Sequence, residues 1–207
     1  MPERGENRGF IIVVSGPSAV GKGTVISRAL EKYSRDNDPE REGLWFSVSH
    51  TSRVRRTGEH EGVHYFYVSK DEFLRRLASN DILEHNVYGG NYYGTSRAAV
   101  EEKLAAGVSA ILDIDVNGAR QIKELYPDAI TVFIMPPSVE ELRRRIRLRA
   151  REHEDEMLVR LKKGEEEIAR SGWYDHILVN LDIDETADKL LDIIESEKKK
   201  REAKKGF

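Results

Sequence analysis

The sequence predicts an α/β fold in which helices flank a parallel sheet. Three short runs of apolar and β-branched residues, at positions 10–15, 108–114 and 130–135, have the length and composition of strands. A polar segment with helical spacing follows each run, which is the pattern of parallel strands joined by crossover helices. A glycine-rich turn separates the first run from its helix. We expect a single domain with lobes, because 207 residues are few for two independent domains.

The first helix is predicted at residues 24–33, where apolar side chains recur on one helical face at Val25, Ile26, Ala29, Leu30 and Tyr33. The segment 44–95 that follows has a different pattern. It contains short β-like runs at 45–48 and 64–68 and a helix near 70–78, all separated by turns. We expect this segment to be an inserted subdomain, while the core comprises about 9–43, 96–140 and 172–207.

Residues 141–171 are predicted to form a helical lid. Ser138 is a natural N-cap, and Glu141 three residues later completes a capping box for an arginine-rich helix. A second polar helix begins near Glu154 and has only a thin apolar stripe, which is typical of a mobile arm over a site. A last strand is predicted at 176–179. The terminal helix after it has an apolar stripe formed by Ala187, Leu190, Leu191 and Ile194.

The composition excludes several classes of protein. Hydrophobic residues make up 39% and charged residues 34% of the chain, which argues against disorder. The net charge of -3 gives no general attraction to nucleic acid or acidic lipid. Without cysteine, no disulfide or thiolate metal site can form. The apolar run at 10–14 is too short to cross a bilayer, and residues 1–8 are charged rather than signal-like. We expect a cytoplasmic protein with small-molecule partners, of open oligomeric state.

The glycine-rich turn has the pattern of a phosphate-binding loop. The pattern Gly-x4-Gly-Lys, placed between a strand and a helix, is matched by Gly16, Pro17, Ser18, Ala19, Val20, Gly21 and Lys22. Glycines let backbone N–H groups converge on phosphate oxygens, and the helix N-terminus adds its positive dipole. Lys22 supplies a full charge to the β- and γ-phosphates. We expect residues 16–24, including Gly23 and Thr24, to bind ATP.

Two residues are candidate ligands of Mg²⁺. Gly23 stands where the pattern has a serine or threonine hydroxyl, and Thr24 follows one residue later. Thr24 either takes the metal role, directly or through water, or caps the first helical turn. Asp113 ends the run 108–114 and is placed like the second carboxylate of phosphate-loop enzymes, although a lone Asp at a strand end is usually a cap or turn residue.

Several ordered motifs resemble those of guanylate kinases. The family segment reads roughly Ser-x-Ser-x-Thr-x-Arg-x-x-Arg-x-Gly-Glu, and residues 47–59 here read SVSHTSRVRRTGE. The match continues through GNYYGTS at 90–96, ILDID at 111–115 and PPS at 136–138, and covers about 10–194. The resemblance implies a phosphate-loop fold with an inserted GMP-binding subdomain and a lid. It also implies transfer of the γ-phosphoryl group of ATP to GMP, and to dGMP, with Mg²⁺.

The residue types at these motifs suit the implied acceptor. Arg53 and Arg56 can offer forked donors to a phosphate dianion, and Tyr65 and Tyr93 add hydroxyl groups. Guanine presents N1–H and an amino group side by side, which one carboxylate can accept together. The resemblance implies that this carboxylate is Glu84 and that Ser49, Thr95 and Asp115 complete the base pocket. By the same resemblance, Glu59 also belongs to the GMP-binding set.

The arginines of the lid are the remaining candidates for chemistry. Arg145 and Arg149 are four residues apart and share one helical face. The resemblance implies that the charge of the transferring phosphoryl group is stabilised from the lid by Arg145, Arg149 and Arg160. Lys22 would act from the other side, and Arg53 also belongs to the implied catalytic set. A nucleic-acid surface is the rival interpretation. The acidic residues that flank the cluster argue against it, namely Glu140, Glu141, Glu152, Glu154 and Asp155.

The sequence departs from the family pattern at Ala19 for a common glycine, at Val54-Arg55 for a proline-containing pair, and at Ala150-Arg151 in the lid. None of these changes removes a charged group assigned to chemistry. Three other functions are weighed. The first is a non-catalytic scaffold of the same fold, and the second is a kinase of a related phosphate ester. The third is a GTPase, which lacks support because no Asn-Lys-x-Asp segment is present.

Overall fold

The computed structural model describes residues 8–36, 43–149 and 154–204. The strands in these ranges are β1 (Ile11–Ser15), β2 (Leu44–Phe46), β3 (His50–Thr51), β4 (Phe66–Tyr67), β5 (Ile82–Tyr88), β6 (Asn91–Ser96), β7 (Ser109–Asp113), β8 (Ile130–Met135) and β9 (His176–Val179). The α-helices are α1 (Lys22–Asp36), α2 (Lys70–Ala78), α3 (Arg97–Ala105), α4 (Val116–Leu125), α5 (Val139–Arg149), α6 (Glu154–Ala169) and α7 (Ile183–Ala203). A 3₁₀ turn, Ser171–Trp173, precedes β9.

The larger sheet has five strands in the order β2-β7-β1-β8-β9. β2 pairs in parallel with β7, and β8 pairs in parallel with β9. All five residues of β1 are buried, which explains why its sequence is continuously apolar up to Ser15. The predicted parallel α/β fold is confirmed. β2 opens the segment 44–95, yet it belongs to this sheet and pairs Leu44 with Ser109.

The smaller sheet has four strands in the order β4-β3-β6-β5. β5 and β6 form an antiparallel hairpin whose turn residues, Gly89 and Gly90, have φ values of +55° and +75°. β3 pairs antiparallel with β6 and parallel with β4. The run predicted at 64–68 contains only the short strand β4, because turns at Gly58 and Gly62 interrupt the extended backbone before it.

Several element predictions are confirmed with their bounds, namely β8, β9 and α2. The first helix was predicted to begin at residue 24 but begins at Lys22, because the phosphate-loop lysine already has helical backbone. Ser138 caps α5 as expected, since its Oγ accepts from the backbone N–H of Glu141 at 3.1 Å. The Glu141 carboxylate accepts from Arg144 and Arg145, so it anchors the arginines of its own helix.

The described chain divides into two compact units. The first unit comprises residues 8–13 and 43–130, and the second comprises 14–36, 131–149 and 154–204. β1 passes from the first unit into the second. This division differs from the subdomain at 44–95 and the lid at 141–171 that the sequence suggested, and those boundaries stay predictions.

Each unit has its own apolar interior. Fully buried side chains in the first unit include Phe73, Leu104, Ile111, Leu112 and Ile122. Those in the second include Ile26, Phe133, Ile134, Leu142 and Leu190. Burial of each such side chain contributes about 1.5–3 kcal/mol to folding. No helix within the described ranges is long and apolar enough to span a membrane.

The predicted lid segment packs through a small cluster in the second unit. Leu142 and Ile146 of α5 contact Leu161 of α6, and all three are buried. Leu158, one turn earlier on α6, is 56% exposed. The apolar stripe of α6 is therefore thin, as expected, and α6 packs on its neighbours through few side chains.

Candidate active site

The phosphate-binding loop occupies residues 16–21, between β1 and α1 in the second unit. Gly16 has φ +148° and Gly21 has φ +99°, a region that side chains rarely adopt. A Cβ on Gly16 would lie 2.2 Å from the backbone oxygen of Ile134, and one on Gly21 would lie 2.7 Å from Nδ2 of Asn180. Both glycines of the motif are therefore required by backbone conformation and by close packing.

Lys22 curls back over the loop that precedes it. Its Nζ donates to the backbone oxygen of Gly16 at 2.6 Å and approaches that of Pro17 at 3.5 Å. α1 begins at the same residue, so its positive N-terminal end adjoins the loop. An ammonium group beside the positive end of a helix forms an anion-binding arrangement, which is what the motif predicts.

The Val20 carbonyl at the end of the loop accepts two side-chain donors. Asn180 Nδ2 donates to it at 2.8 Å and Arg145 Nη1 at 3.0 Å. Asn180 is only 2% exposed, and its backbone N–H donates to Met135. From the sequence, Asn180 could equally be a turn residue or face the adenosine side of the nucleotide, so it was not among the predicted site residues.

Arg145 forms hydrogen bonds with both the phosphate loop and Asn180. Besides Val20, its guanidinium donates to the Asn180 carbonyl at 3.2 Å through Nη2 and to Glu141 at 2.7 Å through Nε. The arginine that was predicted to act from the lid thus connects α5 to the phosphate loop. Three hydrogen bonds fix the plane of its guanidinium.

Ala19 has a left-handed backbone, with φ +66°, which a non-glycine residue seldom adopts. Its side chain packs against the cluster of Leu142, Ile146 and Leu161. The departure from the glycine that is common here therefore places a methyl group against α5 and α6. Gly164 of α6 lies close to the same loop, since a Cβ there would be 3.2 Å from Cβ of Pro17.

The other donor-side candidates lie in or near these elements. Gly23 and Thr24 are exposed in the first turn of α1, and Arg160 is half-buried on α6. Arg149 ends α5, but its side chain lies outside the described residues, as do Ala150 and Arg151. Among the described side chains, no group of three or more His, Cys, Asp or Glu residues could hold a metal ion.

In the first unit, Arg53 lies at the centre of a polar and aromatic cluster. Its Nη2 donates to Oε1 of Glu59 at 2.7 Å, and its guanidinium carbon lies 5.5 Å from the ring centroid of Tyr65. The rings of Tyr65 and Tyr93 are 5.8 Å apart. The structure thus brings together three of the side chains predicted to bind the acceptor phosphate.

Glu59 is part of this cluster and accepts three hydrogen bonds within it. It accepts from the backbone N–H of Arg56 and the hydroxyl of Tyr67, both at 2.8 Å, in addition to Arg53. The hydrogen bond from Arg53 lowers the pKa of Glu59 to about 2, and the same contact raises the pKa of Arg53. Arg56 is exposed.

A buried carboxylate lies on the neighbouring hairpin. Glu84 of β5 is 4% exposed, and its Oε1 accepts from the Thr95 hydroxyl of β6 at 2.7 Å. Burial raises the pKa of Glu84 to about 7, and the charge of Asp115 adds to the shift. Two predicted base-binding residues therefore form one hydrogen-bonded pair.

Asp115 lies at the N-terminus of α4, close to Glu84. Its Oδ1 accepts from the backbone N–H groups of Asn117 at 3.1 Å and Gly118 at 3.0 Å, so it caps the helix. Its Oδ2 accepts a hydrogen bond from Asn86 Nδ2. Gly118 makes room for Glu84, because a Cβ there would be 2.3 Å from Oε2 of Glu84.

Asn86 and Gly118 were missed by sequence analysis. Neither has a residue type that signals the chemistry of the site, and their roles depend on the packing of β5 beside α4. Ser49, a further predicted base-binding residue, is half-buried, and its backbone oxygen accepts from Phe66. Asp113 ends β7 and is half-buried, and its charge, after burial, contributes to the raised pKa of Tyr65.

A parallel sheet with a phosphate-binding loop after its first strand defines a phosphate-loop enzyme of the α/β class. The sequence model of the guanylate kinase family matches residues 8–197. A guanylate kinase of Symbiobacterium thermophilum is 46% identical over 191 residues, which are 92% of this chain and 87% of that protein. One of Carboxydothermus hydrogenoformans is 39% identical over 94% of this chain and 91% of its own length.

A solved structure agrees with these sequence relatives. The crystal structure of guanylate kinase from Anaplasma phagocytophilum superposes with a TM-score of 0.74 at 38% identity, and the match covers 92% of this chain and 87% of that one. The chain belongs to the guanylate kinase family. The resemblance drawn from its motifs is confirmed, as is the fold class.

Proposed function

We propose that the chain catalyses the transfer of the γ-phosphoryl group of ATP to GMP, giving ADP and GDP, and that it also accepts dGMP. Family membership makes it an enzyme with guanylate kinase activity. The observation that supports the choice of acceptor is the buried Glu84, hydrogen-bonded to Thr95 and close to Asp115. The two carboxylates are hydrogen-bond acceptors and the Thr95 hydroxyl is a donor, a combination that suits the edge of guanine.

The guanine base is the group that this pocket would select. Ionised Glu84 can accept from both N1–H and the amino group of guanine, while adenine has no donor at N1. A buried acceptor left without a donor costs about 1–3 kcal/mol, and more if charged. We assign Glu84, Asp115, Ser49 and Thr95 to the base.

The acceptor phosphate is assigned to Arg53, Arg56, Tyr65 and Tyr93. Arg53 is held in place by Glu59 and by the tyrosine rings, so its remaining donors point from a fixed guanidinium plane. Glu59 thereby contributes to GMP binding by holding Arg53. Arg56 is exposed and has a backbone bond to the same carboxylate, which leaves its side chain able to reach a ligand.

The ATP phosphates are assigned to residues 16–24. Backbone N–H groups of the loop and Lys22 would neutralise the β- and γ-phosphates. Arg145, Arg149 and Arg160 are proposed to stabilise the charge that develops on the transferred phosphoryl group. The reaction needs no covalent intermediate with the protein, because positioning and electrostatic stabilisation account for catalysis of phosphoryl transfer.

Magnesium is the proposed cofactor. The Thr24 hydroxyl and the Asp113 carboxylate are the proposed oxygen donors, a chemistry that suits a hard cation which keeps several waters and binds substrate phosphates. When bound, the ion would neutralise charge on the phosphate oxygens.

The remaining assignments follow from composition. With a net charge of -3 and no cysteine, the chain suits a cytoplasmic enzyme of small-molecule nucleotides without a nucleic-acid or membrane partner. The scaffold alternative is disfavoured because Lys22, Asp113 and Arg145 are all present.

A coupled assay of ADP release tests the proposal, with Mg-ATP and separately GMP, dGMP, AMP, CMP and UMP as acceptors. Turnover with GMP and dGMP alone supports it. Binding of GMP without turnover by any acceptor would instead support the scaffold function.

A further inference from the structure

Asn86 lies on β5, two residues beyond Glu84, where β5 runs beside α4. The backbone N–H and carbonyl of His85, between them, are both bonded to the side chain of Gln121 on α4, at 3.1 Å and 2.9 Å. These two bonds fix β5 against the helix. The side chain of Asn86 is half-buried and reaches the first residue before that helix, Asp115.

The contact between Asn86 and Asp115 has a defined direction. An ionised carboxylate only accepts hydrogen bonds, so the amide nitrogen of Asn86 rather than its oxygen must face Asp115. Nδ2 donates to Oδ2, while Oδ1 accepts from two backbone N–H groups of α4. The two oxygens of Asp115 are thus held by donors from two different elements, β5 and α4, which fixes the plane of the carboxylate.

A fixed plane matters because two acidic groups lie close together here. Glu84 and Asp115 are near enough for the charge of one to influence the other. Guanine offers three hydrogens on this edge, one on N1 and two on the amino group. If Glu84 accepts N1–H and one amino hydrogen, the second amino hydrogen needs another acceptor. A carboxylate oxygen can accept more than one hydrogen bond, so Oδ2 can serve both Asn86 and the amino group.

We propose that Asn86 is a positioning residue of the guanine pocket. It orients Asp115 towards the 2-amino group of guanine and thereby sets the preference for GMP over a nucleotide whose base lacks that group. This inference rests on the proposed role of Asp115 in binding the base. Asn86 acts through Asp115 and need not touch the substrate.

The test compares Asn86→Ala with the wild-type enzyme, using GMP and inosine monophosphate, which has no 2-amino group, as acceptors. Loss of a hydrogen bond to a charged group is expected to raise KM for GMP about tenfold. The kcat at saturating GMP and the KM for ATP should stay within about twofold, because the phosphate sites are untouched. KM for inosine monophosphate should not change, so the ratio of the two specificities falls by the same factor.

Two further variants sharpen the comparison. Asn86→Asp keeps the shape but places a third carboxylate beside Asp115 and Glu84, so its KM for GMP should rise more than that of Asn86→Ala. Val87→Ala, at the adjacent exposed position of β5, is the matched control and should behave like the wild type. Equal losses with GMP and inosine monophosphate would contradict selective orientation of Asp115, and so would a fall in kcat alone.

A double-mutant cycle separates this inference from the proposed function. Asp115→Asn keeps an oxygen for the helix cap but removes the charge. If Asn86 acts through Asp115, adding Asn86→Ala to Asp115→Asn should change KM for GMP by less than about twofold. An unchanged KM in Asp115→Asn itself would overturn the assignment of Asp115 to the base. A raised KM in Asp115→Asn together with wild-type behaviour of Asn86→Ala would overturn only the role of Asn86.

Discussion

The phosphate loop and the proposed guanine pocket are built in opposite ways. In the loop, the backbone forms the site: Gly16 and Gly21 have left-handed conformations, and side chains such as Asn180 hold the main chain from outside. In the pocket, side chains form the site, and Glu84 lies in a space that Gly118 leaves open. The loop comes from one continuous stretch, whereas the pocket residues span 49–118.

The difference determines how each site should respond to mutation. A backbone-built site tolerates few changes in its own residues, because conformation and steric fit are set at each position. A side-chain-built site should lose specificity stepwise, since each group reads a separate feature of the ligand. The predictions that follow test this contrast, from the largest expected effect to the smallest.

Lys22→Met removes the one full charge assigned to the loop. We expect kcat to fall by about 10²–10³-fold, the usual cost of removing a donor that stabilises transition-state charge. GMP affinity, measured by calorimetry, should be unchanged. Lys32→Met is the control on the same helix, where Lys32 pairs with Asp188 at 2.6 Å. It should retain full kcat and lose little stability, because an ion pair at the surface contributes little to folding. A mild effect of Lys22→Met would remove Lys22 from the catalytic set.

Glu84→Gln preserves the size of the side chain but replaces an acceptor oxygen with a donor. The specificity for GMP over AMP should fall by about 10–100-fold, because the N1–H and amino group of guanine lose a carboxylate partner. Steady-state kinetics with both acceptors measures this ratio. Glu102→Gln, on an exposed part of α3, serves as the control. An unaltered GMP/AMP ratio would show that Glu84 does not read the base.

Gly118→Ala tests whether the position of Glu84 matters for binding GMP. The added Cβ would lie 2.3 Å from Oε2 of Glu84, so the carboxylate must shift. We expect KM for GMP to rise about tenfold while the free energy of unfolding holds or increases, because alanine favours a helix by about 1 kcal/mol over glycine. Gly172→Ala, whose Cβ would meet nothing within 4 Å, is the control. Loss of stability without a change in KM would contradict a role in placing Glu84.

Asn180→Ala tests the support of the loop. The Val20 carbonyl would keep Arg145 as a donor but lose Asn180. We expect KM for ATP to rise about fivefold and the unfolding free energy to fall by about 1–3 kcal/mol, measured by urea denaturation. Asn180→Asp should be worse, since it turns a carboxylate towards a carbonyl. If KM for GMP changed more than KM for ATP, Asn180 would not act through the loop.

The pH dependence of GMP binding should show the smallest effect. The pKa of Glu84 is raised to about 7 by burial, and guanine needs the ionised form of this carboxylate. Affinity should therefore increase as the pH rises through the pKa, by about threefold between pH 6.5 and 7.5. Glu84→Gln removes this titration, and the difference between the two profiles isolates it from the titration of the GMP phosphate. Parallel profiles would place the pKa outside this range.

Much of this molecule could be predicted before its structure. Apolar runs identified β1, β7 and β8, because strands buried on both faces do not need to alternate apolar and polar residues. A helix was predicted near residues 70–78, and the structure has it at Lys70–Ala78, where Ser69 is the N-cap. Strand pairing was harder: β2 lies in the segment that was predicted to be an inserted subdomain, and only its register with β7 assigns it to the larger sheet.

The sequence alone determined the family and the phosphate loop and predicted the side chains proposed for chemistry, because each depends on residue types at short, ordered spacings. The tertiary structure decided how these groups are supported. Asn180, Asn86 and Gly118 are ordinary residues in the sequence. They matter because folding places Asn180 against Val20, Asn86 against Asp115 and Gly118 against Glu84. Asn180 and Val20 are 160 positions apart in the sequence, and Asn86 and Asp115 are 29 apart. A contact over such a distance leaves no local pattern, since it arises from packing between elements rather than from the period of any one of them.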